Sequence, residues 1–232
     1  MEKKIYVISG TSRGIGLELT RQALQAGHTV WALARNPEKS EKLEKLKKEF
    51  PETLKTDAVD VTSDSSVTAF SQKLGNAVID VLINNAGAYL DEPGSRFETL
   101  DFKKVVESFE VNTVGAMRMT KTLLPFLKKG KKPKLIHITS LMGSIEDNTS
   151  GGAYAYRISK TALNMFSKSF SCDFPEIASA VVHPGWVKTD MGGSSAPTTP
   201  EESAKGIHQV IAGLTLEKSG HFFDFEGDSL PW

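Results

Sequence analysis

The chain has 232 residues, 28 lysines and arginines against 28 aspartates and glutamates, and a single cysteine, Cys172. Balanced charge argues against a protein whose main business is binding nucleic acid or an anionic membrane, and one cysteine excludes an internal disulfide or a cysteine-built metal site. No apolar run approaches a membrane span and the start, Met1-Glu2-Lys3-Lys4, lacks the apolar region of a secretory signal, so a reducing, cytoplasmic location is expected.

Short β-rich runs alternate with longer amphipathic segments as far as about residue 185. The pattern predicts repeated βαβ units, and the length suits one α/β domain over residues 1–232. The expected fold is a Rossmann-type, doubly wound parallel sheet of about seven strands with helices on both faces. Strands are predicted at 5–9, 29–34, 53–58, 78–84, 134–139, 179–183 and 220–225. Helices are predicted at 15–26, 38–50, 65–74, 101–127, 154–172 and 200–214. The lysine and glutamate run at 38–49 keeps Leu43 and Leu46 at helical spacing and reads as a solvated helix face. Residues 128–134, basic but broken by Gly130 and Pro133, read as a helix stop and loop. The glycine- and proline-rich segment 192–200 lacks a core face and is expected to be mobile, a lid over any ligand.

After the first strand comes Ser9-Gly10-Thr11-Ser12-Arg13-Gly14-Ile15-Gly16, opening the first helix. Glycines at a strand-to-helix turn allow a tight bend and close approach to a pyrophosphate, which the helix amino terminus favours. Arg35 ends the second strand where an NAD enzyme would carry an acid for the ribose hydroxyls. Arg35 and Arg13 are therefore expected to converge on a 2′-phosphate, making NADP(H) the preferred cofactor with NAD(H) kept as the alternative. Asp60 and Val61 follow the third strand, Asp60 placed to accept a hydrogen bond from adenine, with Thr62 or Asp64 expected to cap the next helix.

Tyr156 and Lys160 lie four residues apart in a predicted helix, so their side chains share a face. An ammonium beside a phenol favours the phenolate, and the expectation is a tyrosine pKa lowered from about 10. Tyr154 is six residues from Lys160 and sits at another angle. Asn112 lies inside the long helix, where it is a poor helix former, and is expected to hold a water. The histidines His28, His137, His183, His208 and His221 are scattered, so neither a metal site nor a nucleophilic triad is expected. Ser140 lacks the Gly-x-Ser-x-Gly elbow of a hydrolase.

Taken together, these motifs resemble the short-chain dehydrogenase/reductase family along the whole chain. Gly10-Xaa3-Gly14-Ile15-Gly16 is similar to its cofactor motif, and Asn84-Asn85-Ala86-Gly87 to the signature after its fourth strand. Asn112, Ser140, Tyr156 and Lys160 match its catalytic tetrad, and Pro184-Gly185 with Val187 and Thr189 resembles the loop that holds the nicotinamide amide. Ala153 to Arg157, His183 to Gly193 and the terminal Leu230-Pro231-Trp232 are most similar to the C-factor-like and sniffer-like carbonyl reductases. Ser140 lies 16 residues before Tyr156, more than the commonest family spacing, which leaves Ser144 and Ser150 as fallback candidates.

The resemblance implies that Asn85, Ala86 and Gly87 line the adenine ribose, that Tyr156 protonates a carbonyl oxygen as the nicotinamide gives hydride to its carbon, and that Ser140 holds the same oxygen. Lys160 then binds the nicotinamide ribose, and Asn112 and its water continue a proton path to solvent. The substrate, a small-molecule carbonyl or alcohol, is expected beyond the strand ends among Tyr89, Leu90, Leu141, Met142, Ile145, Trp186 and Met191. Helices 101–127 and 154–172 form the dimer face in many relatives, which leaves two uses open for their apolar positions, a homodimer contact or packing on the sheet. The alternative to an enzyme is a cofactor-sensing regulatory or signalling protein with little turnover.

Overall fold

The computed structural model describes residues 2–232. Its strands are β1 (Ile5–Ser9), β2 (Thr29–Ala34), β3 (Leu54–Ala58), β4 (Val81–Asn84), β5 (Lys134–Ile138), β6 (Ala178–His183) and β7 (His221–Asp224). They form one sheet in the order β3-β2-β1-β4-β5-β6-β7. Every pair is parallel. The strand order reverses between β1 and β4, and the crevice there is where doubly wound sheets bind ligands.

The helices are α1 (Gly14–Gln25), α2 (Glu41–Glu49), α3 (Asp64–Leu74), α4 (Phe102–Phe109), α5 (Gly115–Leu127), α6 (Tyr154–Asp173) and α7 (Pro200–Gly213). Strand residues alternate between the two faces of the sheet, as a parallel sheet covered on both sides requires. Tyr6 and Ile8 of β1, Val81 and Ile83 of β4 and Ile136 of β5 pack with Leu19 of α1, Leu43 of α2 and Ile207 of α7. The intervening Val7, Leu82 and Leu135 pack on the other face with Phe70 of α3, Leu123 of α5 and Phe170 of α6.

Four local expectations change. The helix expected at 101–127 is α4 and α5 joined by a wide π-type turn, Glu110–Val114, which carries Asn112. The helix expected from 38 starts at Glu41, because Pro37 opens a short 3₁₀ turn and Ser40 then accepts from the Leu43 amide at 3.3 Å. Ser63, rather than Thr62 or Asp64, caps α3 by accepting from the Ser66 amide at 3.2 Å. Segment 192–200 is tied down: Thr198 bridges Val187, its carbonyl accepts from the Lys188 amide at 2.8 Å, and Ala196 is buried. Among the described residues no helix is long and apolar enough to cross a membrane.

Candidate active site

The glycine turn between β1 and α1 is shaped by contacts that leave no room for side chains. Gly10 has φ of +72°, and a Cβ there would lie 2.8 Å from the Ala86 Cα. A Cβ on Gly16 would meet the Gly10 carbonyl oxygen at 2.3 Å. Asn85 locks the turn from β4, donating from Nδ2 to the carbonyls of Ser9 and Gly10 at 2.9 and 3.0 Å. The Ser9 hydroxyl in turn accepts from the amides of Asn85 and Ala86, each at 3.1 Å. Arg13 precedes α1 without capping it, and the first turn holds no acid. The first amides of α1 are thus open to an anion, and the turn fits a dinucleotide pyrophosphate.

Around this turn the remaining nucleotide residues take defined places. Val61 packs on Gly115, where a Cβ would sit 2.8 Å from its Cγ2. The carboxylate of Asp60 accepts from the Thr62 amide and hydroxyl at 2.9 and 2.8 Å, and these bonds hold its pKa below the ordinary value. Arg35 is exposed at the end of β2, and its charge adds to that lowering. Arg13, the other guanidinium expected at the 2′-phosphate, is engaged in an ion pair. Its guanidinium pairs at 2.7 Å with Asp190, and both side chains are about three-quarters exposed (73% and 74%). Such an exposed pair contributes little and exchanges readily for a stronger anion. Thr189, Asp190's neighbour, touches the same turn, its Cγ2 being 3.2 Å from where a Gly14 Cβ would lie. The loop after β6 is held where it leaves the strand: Ser203 Oγ donates to the Pro184 carbonyl at 2.7 Å, and Gly185, with φ of +84°, lies against Phe225.

Tyr156 and Lys160 are both buried on α6, facing the ends of β4 and β5. The Lys160 ammonium lies 5.6 Å from the centre of the Tyr156 ring and donates to the Ile138 carbonyl at 2.8 Å. The expected lowering of the tyrosine pKa is not what this geometry produces. Burial pushes Tyr156 up to about 12, with the Ser140 hydroxyl opposing the rise and Tyr89 adding to it. Burial likewise brings Lys160 down to about 8. In this structure the ammonium answers a carbonyl rather than the phenol, so desolvation decides both groups. His137 is buried and held neutral, at about 3, by burial and then by the Lys160 charge.

Of the three candidate serines only Ser140 is near enough to Tyr156 to act on its pKa. Ser144 donates to the Trp232 main-chain oxygen at 3.1 Å, and Ser150 accepts from Arg157 at 2.9 Å. The side-chain amide of Asn112 is a clamp. Its Oδ1 accepts from the Ala88 amide at 2.7 Å, and its Nδ2 donates to the Ala88 carbonyl and the Ser159 hydroxyl, both at 2.9 Å. The π-type turn aims this amide at the loop after β4, one use proteins make of such turns.

Sequence reading missed Asp91. Its carboxylate accepts from the amides of Ala155 and Tyr156 at 3.1 and 2.9 Å, capping α6 from the loop after β4. An acid 64 residues before the helix it caps leaves no local signal. On the substrate side, Tyr89 lies with its ring 5.0 Å from that of Tyr156. It also lines a cavity of about 260 Å³ with Glu92, Arg96, Ser150, Gly152 and Ala153. The other expected wall residues lie outside that cavity. Leu141 and Met142 are half-buried in the turn after Ser140, Trp186 and Met191 are exposed, and the Trp186 indole donates to the Gly192 carbonyl at 2.7 Å. Among the described residues no cluster of histidine, cysteine, aspartate or glutamate could hold a metal ion.

Residues 4–200 match the short chain dehydrogenase family, and the chain belongs to it, an oxidoreductase family. Within that family its likeness runs to carbonyl reductases. It superposes on the carbonyl reductase Sniffer of D. melanogaster with a TM-score of 0.93 and 31% identity over 100% of both chains. A NADPH-bound carbonyl reductase from chicken fatty liver gives a TM-score of 0.91 at 31% identity, again over 100% of both chains. In sequence it is 43% identical over 166 residues to C-signal of Myxococcus xanthus, covering 71% of this chain and 99% of that one.

Proposed function

We propose that the protein is an NADP(H)-dependent reductase of small-molecule carbonyl compounds, aldehydes, ketones, quinones or dicarbonyls, with Tyr156 as the general acid. The observation that carries this reading is the buried pair of Tyr156 and Lys160 beside Ser140, at the crevice that also holds the glycine turn. The open amides of α1, Arg13 and Arg35 would hold the dinucleotide and its 2′-phosphate. Bound NADPH supplies hydride. With its pKa at about 12, Tyr156 is protonated at neutral pH and has the proton that the carbonyl oxygen needs. The Ser140 hydroxyl orients that oxygen, and the Lys160 ammonium compensates the phenolate left behind. The NADPH-bound chicken reductase of similar structure supports the cofactor.

The test is NADPH and NADH consumption by the purified protein across a panel of such carbonyls. Turnover with NADPH favoured is expected, and no turnover with any carbonyl despite NADPH binding would contradict the reading. A second reading, a signalling protein with little turnover, draws on the likeness to C-signal. It predicts NADPH binding without consumption. We infer a cytoplasmic homodimer through α4 and α6; in its support Phe102, Val106 and Phe109 form one exposed apolar stripe and Ile158 and Met165 another. Sedimentation equilibrium at monomer mass would remove the dimer.

A further inference from the structure

Ser140 ends up between two clamps. It follows β5 and opens a 3₁₀ turn, Leu141–Gly143, with its Oγ accepting from the Met142 amide at 3.1 Å. That bond selects one side-chain rotamer and leaves the hydroxyl proton free to be donated elsewhere. A three-residue turn of this kind does not sustain itself and needs support at both flanks. On one flank is α6, whose Thr161 hydroxyl and Asn164 amide donate to the Gly143 carbonyl at 2.9 and 3.2 Å. A Cβ on Gly143 would lie 3.0 Å from Lys160, so the turn rests directly on the helix that carries the catalytic pair.

The other flank is held by residues distant in sequence. The main-chain oxygen of Trp232 accepts from the Ser144 hydroxyl at 3.1 Å and from the amides of Ile145 and Glu146, each at 3.0 Å. One oxygen thereby ties three consecutive residues at the point where the turn closes, the Ser144 amide donating to the Leu141 carbonyl at 2.9 Å. The tie is seated in its turn on β7. The Leu230 amide donates to the Phe222 carbonyl at 2.8 Å, Ser229 bridges Phe223, and the Trp232 ring lies 5.7 Å from that of Phe222. Trp232 keeps 41% of its surface exposed, so the segment covers the loop without being part of the core.

We propose that residues 230–232, anchored by the Trp232 ring, are a positioning strap that presses the Ser140 turn onto α6 and so holds the Ser140 hydroxyl where the carbonyl oxygen of the substrate is received. The proposal rests on the role given to Ser140 above. Without the strap the turn frays from Ser144 backwards, the Ser140 rotamer is released, and alignment in the reacting complex is lost. In the sheet order the strap lies on the far side of β5 from the glycine turn, so the pyrophosphate contacts that carry most of the cofactor's affinity are left alone.

The experiment is a double-mutant cycle on carbonyl reduction, using the chain shortened after Ser229, Ser140→Ala, and the two combined, with the NADPH dissociation constant measured for each. Shortening is expected to lower kcat about tenfold, with NADPH affinity within about twofold and no further loss when Ser140 is already alanine. Trp232→Phe should keep most of the rate. Full kcat in the shortened chain, or the same loss in the Ser140→Ala background as in the natural one, would overturn the strap. If Ser140→Ala itself keeps full kcat, the role of Ser140 fails and the strap with it. Should the shortened chain not fold, Trp232→Ala takes its place in the cycle with the same two outcomes.

Discussion

Lys160 is the residue at which stability and function pull apart. An unfolded chain keeps its proton to about pH 10.5, whereas the folded protein gives it up near 8 because of burial. Below pH 8 the fold therefore carries a buried ammonium at a cost, and that cost fades as pH rises from 8 towards 10.5. Lys160→Met is expected to abolish reduction while raising the thermal midpoint at pH 7, with the gain shrinking at pH 9.5 in parallel calorimetry. A midpoint lowered at both pH values would show that the bond to the Ile138 carbonyl outweighs desolvation. Tyr156 has the opposite sign: its folded pKa of about 12 exceeds the ordinary 10, so stability is lost as pH rises through that interval. The same direction keeps Tyr156 protonated through neutral pH, so the rate of carbonyl reduction is expected to be level up to neutral pH and to fall above about 8, where Lys160 gives up its proton. A fall beginning well below pH 7 would contradict it. At the nucleotide end, Arg35→Asp replaces a phosphate partner with a repelling charge and should weaken NADPH far more than NADH, by about tenfold or more in dissociation constant. Equal losses for the two cofactors would remove Arg35 from the phosphate site.

Helix α6, which carries the proposed catalytic pair, shows what such an element needs beyond its own sequence. Its face with Tyr156 and Lys160 follows from spacing alone, and so does its packing through Leu163 and Phe170. Its start does not. Ala153, just before the helix, has φ of +45°, a left-handed conformation uncommon for alanine, and no side chain of the helix's own sequence caps it. Asp91 supplies the missing acceptor and ties the loop after β4 to the helix beside Tyr156. Asp91→Asn keeps one acceptor but removes the charge at the helix amino terminus. It is expected to cost about 1 kcal/mol of stability by denaturant titration and to lower kcat more than it changes NADPH affinity. An unchanged kcat would confine Asp91 to a structural role. The π-type turn at Glu110–Val114 is a second feature the local pattern hides, since apolar spacing on both sides of it reads as one continuous helix. It forms because Asn112 finds partners in Ala88 and Ser159, residues from two other elements.

At the scale of the molecule, the parallel sheet was legible because the strands are short, the central ones apolar on both faces, and the helices between them keep an apolar stripe. Strand ends moved by up to three residues where a side chain takes over the pairing, as Asp80 does by accepting from the Ile5 amide at 2.8 Å ahead of β4. The glycine turn, the loop after β6 and the proposed catalytic residues were legible as motifs, because each demands particular residue types at fixed spacing. What was not legible depends on contacts between distant segments: the pairing of Arg13 with Asp190, the capping of α6 by Asp91, and the tie from Trp232 to the Ser140 loop. The pKa directions at Tyr156 and Lys160 belong here too, since burial by the whole fold, rather than their adjacency, sets them. The central claim is that this fold exists to let Tyr156 give a proton to a carbonyl during NADPH-dependent reduction. The most direct test measures Tyr156→Phe beside the natural protein, following NADPH consumption with the best carbonyl and NADPH binding by fluorescence. The account predicts turnover reduced by at least about a hundredfold with binding retained; turnover that survives the substitution would contradict it.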